Sequence, residues 1–293
     1  KRFRCRVHEY VPHDPLIESY IRGCGFGNLL NIVSYSVDYK FILALLERWR
    51  PETHTFHLPI GECTVTLEDV YMLLGLRIDG KVVNEKVNQD NNICNELLGA
   101  PLLDDETEGD TSDQARGQGI NLKYLKQYYA SIVLSEDSTE YEKIIKARCY
   151  IMILFGNFLF PESTGNSVNI MYLALLRNIN KVNSYSWGST VLAHLYSAMC
   201  RTAKKNTCTF FSCAYLLQAW VWSRMPSLAP INERPFVFPF ATKWSVRRMN
   251  YNRCPKHAIV VYRNLLDHIR HDDFVWRPYL GLNHDVNHDD AAV

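Results

Sequence analysis

The stretch from Arg48 to Leu76 constrains the fold more than any other part of this chain, because a helix end, a hairpin and a new helix follow one another there. Residues 36–49 carry apolar side chains at helical spacing, which predicts a helix with one buried face. Pro51 predicts the end of that helix, since proline lacks the backbone N–H and disfavours helical geometry at the residue before it.

The residues after Pro51 predict a small β-hairpin near residues 53–66. Residues 53–58 alternate, with Thr55, Phe56 and His57 in extended order, and are expected to form a strand. Residues 59–62 contain a proline and a glycine, which favour a turn. Residues 63–66 favour a second strand, so the two extended runs are expected to pair.

A short helix is predicted directly after the hairpin. Thr66 and Asp69 are three positions apart, which is the spacing of a capping box at a helix start. An apolar face of Val70, Leu73 and Leu74 follows, and Gly75 suits the left-handed conformation with which many helices end.

The rest of the chain adds helical patterns and little else, so we predict a mainly α, compact multi-helix domain with this one hairpin. We expect residues 1–293 to form a single domain with a mobile acidic loop at 84–119 and a polar tail at 283–293. The helical patterns lie at residues 16–22, 122–133, 144–160, 169–178, 189–202, 208–222 and 257–270.

Composition narrows the class of protein. With 47% hydrophobic and 12% aromatic residues, the chain can build a substantial core. It has no apolar run long enough for a membrane span and no signal-peptide pattern at its start, so no membrane is expected. Nine cysteines without a regular spacing favour a reducing compartment over a disulfide framework.

Four stretches of the sequence resemble the plant mobile domain family, the group that includes the Maintenance of Meristems and Maintenance of Meristems-like proteins. The resemblance covers nearly the whole chain and departs from the family in residues 83–119. The stretches are residues 48–80, residues 187–196, residues 216–226, and residues 261–263 with 274–279.

The resemblance implies a noncatalytic nuclear protein that acts in transposon silencing, gene expression regulation, genome integrity and meristem maintenance. It implies two partners, a phosphoprotein-phosphatase-like protein and another plant mobile domain protein. It brings no catalytic, cofactor-binding or metal-binding residues with it, so none is assigned.

Charge is divided along the chain although the net charge is only +1. Residues 61–146 hold 17 acidic and 8 basic side chains, whereas residues 163–264 hold 13 basic side chains and one carboxylate, Glu233. Cations with interleaved aromatic residues are typical of nucleic-acid-binding surfaces.

A direct, sequence-selective DNA-binding module of transposon origin is therefore the alternative function. Contacts of these cations with a protein partner, or with the chain's own acidic loop, are the competing explanation. The candidate nucleic-acid-binding residues are Lys204, Lys205, Lys243, Arg247, Arg248, Arg253 and Lys256.

Three other patterns suggest chemistry only weakly. His54 and His57 are expected on opposite faces of a strand, which is awkward for shared metal ligation. Residues 23–27 are glycine-rich but lack the remainder of a phosphate-binding loop. His268 and its neighbours 271–273 lack the sequence context of a metallophosphatase, so we interpret them as a solvated helix end.

Overall fold

The structure is a computed structural model that describes residues 3–5, 10–34, 36–84, 92–100, 119–162, 166–204, 209–254 and 256–282. Helices dominate these residues, which confirms the predicted mainly α fold class. The α-helices are α1 (Glu18–Gly23), α2 (Tyr39–Leu46), α3 (Leu67–Leu74), α4 (Ile93–Leu98), α5 (Leu122–Ser131), α6 (Glu140–Leu154), α7 (Met171–Leu175), α8 (Trp187–Thr202), α9 (Ala214–Arg224) and α10 (Ile259–Asp267).

Within the described residues, the strands are short and form three small sheets. They are β1 (Arg4–Cys5), β2 (Trp49–Arg50), β3 (Thr55–Leu58), β4 (Gly61–Cys63), β5 (Gly119–Asn121), β6 (Ser167–Asn169) and β7 (Thr209–Phe210). The predicted hairpin is present as β3 and β4, and β2 extends it to a three-stranded antiparallel sheet in the order β2–β3–β4. Parallel β1–β7 and antiparallel β5–β6 are the other two pairs.

The helix predicted over residues 36–49 is shorter than expected. It ends at Leu46, and Trp49 enters β2, where it pairs with Phe56 of β3. The two rings pack edge to face at a centroid distance of 4.9 Å, and Trp49 is buried. Burial of this aromatic pair in a sheet outweighs the helical spacing of the sequence.

The predicted start and end of α3 are confirmed. Thr66 and Asp69 form a complete capping box, and Gly75 ends the helix with φ of +65°. The second hairpin strand ends at Cys63, earlier than predicted, because Thr66 serves as the helix cap. Most of the predicted acidic loop, residues 85–91 and 101–118, and the predicted tail, residues 283–293, lie outside the described residues.

The buried side chains form one continuous hydrophobic cluster. Helix α9 lies at its centre, since every residue from Ala214 to Arg224 is buried. Trp220, Trp187 and Trp49 are among the largest fully enclosed side chains. Among the described helices, none combines the length and the apolar character needed to cross a bilayer.

A buried ion pair at Asp69 joins three distant segments. The Asp69 carboxylate accepts from Arg224 Nη2 of α9 at 2.7 Å and from the Tyr279 hydroxyl at 2.8 Å, while its other oxygen caps α3 through Thr66. Arg224 also donates to the carbonyl of Trp276 at 2.8 Å. Burial raises the pKa of Tyr279, as does the neighbouring Asp69 charge, so this hydroxyl stays protonated and donates.

Asp38 plays a similar role at the start of α2. It is buried, it caps the helix through the N–H groups of Lys40 and Phe41, and it accepts from the Tyr262 hydroxyl of α10 at 2.6 Å. The backbone N–H of His257 donates to it at 2.6 Å. Burial alone would raise the pKa of Asp38, but these hydrogen bonds outweigh burial and lower it.

Replacing Asp69 with alanine should lower the free energy of unfolding by about 3–5 kcal/mol, because Arg224 then remains buried without its counter-charge. Urea denaturation of the wild type and the variant measures the change. Glu18→Ala is the control, since it removes only solvent-accessible contacts with Arg22 and His13 and should change stability little. Equal losses for both variants would contradict the assigned role of Asp69.

The Asp38→Asn variant should be less stable than the wild type at pH 7, and the difference should shrink as the pH falls below about 4. A carboxyl group with a lowered pKa in the folded state stabilises the protein above its unfolded pKa. That stabilisation is lost as the pH falls through the folded value. Unfolding free energies measured across this pH range test the expectation, and a difference that stays constant down to acidic pH would refute it.

Candidate functional site

Residues 231–234 and 246–250 line a surface groove of about 480 Å³. The two segments meet through an antiparallel bridge, in which Ile231 N donates to Asn250 O at 2.8 Å. Ile231, Val246 and Met249 give the groove an apolar part.

Three arginines, Arg234, Arg247 and Arg248, line this groove and are exposed. Their guanidinium groups form no hydrogen bond or ion pair with any described part of the chain. Glu233 is the carboxylate that lines the same groove, so the four side chains together carry a charge of +2. The groove is therefore a preformed site of positive potential that can accept an anion.

The groove is held in place by the core. Asn232 donates through its side-chain amide to the carbonyl of Lys243 at 2.6 Å. Lys243 belongs to the 3-10 helix Phe240–Trp244, and the Phe240 ring stacks on Tyr279 at a centroid distance of 5.7 Å. Tyr279 in turn donates to Asp69, so a chain of contacts connects the buried ion pair to the groove.

The structure brings two of the seven predicted nucleic-acid-binding residues, Arg247 and Arg248, together in the groove. Lys243 is not among the residues that line the groove. Its Nζ lies 4.2 Å from the centroid of the Phe236 ring, and burial lowers the pKa of this lysine. Its ammonium group therefore makes a cation–π contact within the protein.

The remaining predicted cations that the structure describes do not line the groove. Arg253 donates to the carbonyl of Pro226 at 3.1 Å. Lys256 donates to the Ser36 hydroxyl at 3.3 Å and lies over the Tyr251 ring. Lys204 is exposed beyond the end of α8, and Lys205 lies outside the described residues. The predicted set is therefore spread over more than one location.

The aromatic residues between the predicted cations pack against the core. Trp244 and Tyr262 are buried, and Trp244 packs edge to face on Trp222 at 5.2 Å. Tyr251 is half-buried, and this burial raises the pKa of its hydroxyl to about 12. These rings are not presented as a platform for stacked bases.

Arg234 is the groove residue that sequence reasoning missed. It lies apart from the cluster at 243–263. It also directly follows Glu233, so the two neighbouring charges sum to zero and the pair does not stand out as basic in the sequence. The bridge between Ile231 and Asn250 brings it to Arg247 and Arg248. The signal that could have found it is an isolated charged pair within a proline-rich segment.

The weaker candidates of the sequence have structural roles. His268, the residue after α10, contacts the carbonyl of Asn264 in that helix, and Asp273 accepts from the Arg270 N–H in a local cap. His57 lies 3.4 Å from Glu62 across the hairpin. Within the described ranges, no group of three or more histidine, cysteine or acidic side chains is placed to hold a metal ion.

The glycine-rich residues 23–27 form a turn packed against the rest of the protein. Gly25 has φ of +84°, and a Cβ atom there would lie 2.4 Å from Asn183 Oδ1. Glycine is needed at this position for its backbone conformation and for this close approach.

Comparison with known proteins agrees with the resemblance seen in the sequence. The family model for the plant mobile domain matches residues 25–292. Protein MAIN-LIKE 2 of Arabidopsis thaliana is 35% identical over 268 residues, which are 90% of this chain and 38% of that protein. Protein MAINTENANCE OF MERISTEMS of the same plant is 30% identical over 264 residues, 89% of this chain and 52% of that protein.

A third relative carries a different name. The Arabidopsis thaliana protein named Serine/threonine-protein phosphatase 7 long form homolog is 31% identical over 281 residues, 92% of this chain and 20% of that protein. The chain thus spans about half or less of these curated relatives, and no solved structure matches it. Because the family model covers almost all of its length, the chain belongs to the plant mobile domain family.

Proposed function

We propose that this chain is a noncatalytic nuclear adaptor. It acts with a phosphatase-like protein and another plant mobile domain protein in transposon silencing, gene expression regulation, genome integrity and meristem maintenance. The proposal rests on the names of the relatives that match nearly the whole chain. One is named for meristem maintenance, and another is named as a phosphatase 7 long form homolog.

The use of buried polar groups supports a noncatalytic role. Asp69 and Asp38 each bridge several segments through hydrogen bonds. Lys146 donates to Asp14 and to the carbonyl of Ile132, both at 2.6 Å. Burial lowers the pKa of His194 to about 4, so this histidine is neutral at pH 7, and its Nδ1 lies 3.1 Å from the Ser212 hydroxyl. These groups stabilise the fold.

The division of charge supports a docking role. Residues 61–146 hold 17 acidic and 8 basic side chains, and residues 163–264 hold 13 basic side chains and one carboxylate, so we expect the chain to offer surfaces of opposite charge to its partners. Complementary surfaces of this kind speed association and select partners.

The full chain, tagged and expressed in plant cells, should be enriched in nuclei and should copurify with a phosphatase-like protein and a second plant mobile domain protein. Cell fractionation and mass spectrometry of the purified complex test this expectation. A tagged nuclear protein of unrelated fold is the control. Cytosolic enrichment, or a complex without either partner, would contradict the proposal.

The alternative function is direct DNA binding, which the exposed Arg247, Arg248 and Arg253 favour. If this alternative holds, replacing all three with alanine should weaken duplex binding. It should also reduce the slope of log affinity against log salt by about 0.9 for each phosphate that the variant no longer neutralises. Titrations at several salt concentrations measure the slope, and an unchanged slope would remove this alternative.

A further inference from the structure

We infer that the groove of Arg234, Arg247 and Arg248 binds a phosphorylated serine or threonine side chain in a segment of a partner protein. Binding to this groove requires neither of the partners in the proposed complex, so it is independent of the adaptor role.

The three groove arginines have no carboxylate partner in the described part of the chain, and this supports the inference. Six other arginines in the described part of the chain contact a carboxylate, and Arg148 donates to three main-chain carbonyls. Arg234, Arg247 and Arg248 line one groove without such a partner. The arginines paired with carboxylates are Arg22, Arg48, Arg77, Arg177, Arg224 and Arg263.

Three arginines placed together repel one another unless an anion lies between them. The planar guanidinium group presents paired donors that match the oxygen atoms of a phosphate group. A phosphate monoester carries a charge of about −1.5 to −2 at pH 7, which complements the +2 charge of the groove side chains. A single carboxylate would neutralise only half of that charge.

The lining favours a peptide over a nucleic acid. Glu233 lies among the arginines, and it would repel the neighbouring phosphates of a polynucleotide backbone. The apolar residues Ile231, Val246 and Met249 offer contacts for the side chains that flank a phosphorylated residue. The other predicted cations that the structure describes are outside the groove. Of the intervening rings, Trp244 and Tyr262 are buried and Tyr251 is half-buried, so the described residues form neither an extended phosphate track nor an open stacking surface at this site.

Fluorescence polarisation with the full chain tests this inference. The probes are a labelled library of short peptides with a central phosphoserine, the same library with serine or glutamate at that position, and a DNA duplex of mixed sequence. The phosphoserine library should bind about tenfold or more tightly than the serine library. This preference should decline as the pH falls below about 6, where the phosphate takes up a proton.

The variant with Arg234→Gln, Arg247→Gln and Arg248→Gln should lose the preference for phosphoserine. Arg253→Gln is the matched control, since it removes an exposed arginine of the same basic segment outside the groove, and it should keep the preference. Thermal unfolding verifies that both variants are folded. Should the triple variant be unfolded, the charge-conserving pair Arg247→Lys and Arg248→Lys replaces it, with a several-fold weaker affinity expected because lysine lacks the paired donors.

Four results would overturn the inference. These are equal affinity for phosphoserine and serine libraries, equal affinity for phosphoserine and glutamate libraries, binding of the DNA duplex alone, and a loss in Arg253→Gln as large as in the groove variant. The last two results would favour the nucleic-acid alternative.

Discussion

The Asp69 carboxylate is the point on which the arrangement of this domain depends. It is fully buried, and it compensates the buried charge of Arg224 while capping α3 and holding the C-terminal segment through Tyr279. A buried charge is tolerated only when its partners are fixed in position, so this pair ties together segments that are far apart in sequence. Tyr279 then packs on Phe240, which places the basic segment that supports the groove.

The sequence predicts the parts of this fold that depend on local signals. The capping box at Thr66 and Asp69 and the glycine end at Gly75 are predictable because each is a property of a few consecutive residues. The second role of Asp69, as the partner of Arg224, is not predictable in this way, because the two residues meet only in the folded chain. The same reason explains the wrong helix end at Trp49, where pairing with a strand outweighs helical spacing.

In the candidate site, too, the sequence predicts some of the residues, whereas others depend on contacts made only in the folded chain. Clustering in the sequence identifies Arg247 and Arg248, which share the groove. It also includes Lys243, whose charge lies against the Phe236 ring, and it omits Arg234, which long-range pairing brings into the groove. The density of charge in the sequence therefore locates the region, whereas the identity of the groove residues depends on backbone pairing and on which side chains are already engaged within the protein.

Native-state hydrogen exchange tests most directly whether the Asp69 ion pair joins the three segments into one cooperative unit. The amide protons to follow are those of Gly75 at the end of α3, Met225 at the end of α9 and Val275, which donates to the carbonyl of Arg224 at 2.7 Å. We expect all three to exchange with the same opening free energy, close to that of global unfolding. Exchange of Val275 at a much lower free energy than the other two would show that the C-terminal segment opens by itself, which would contradict this account.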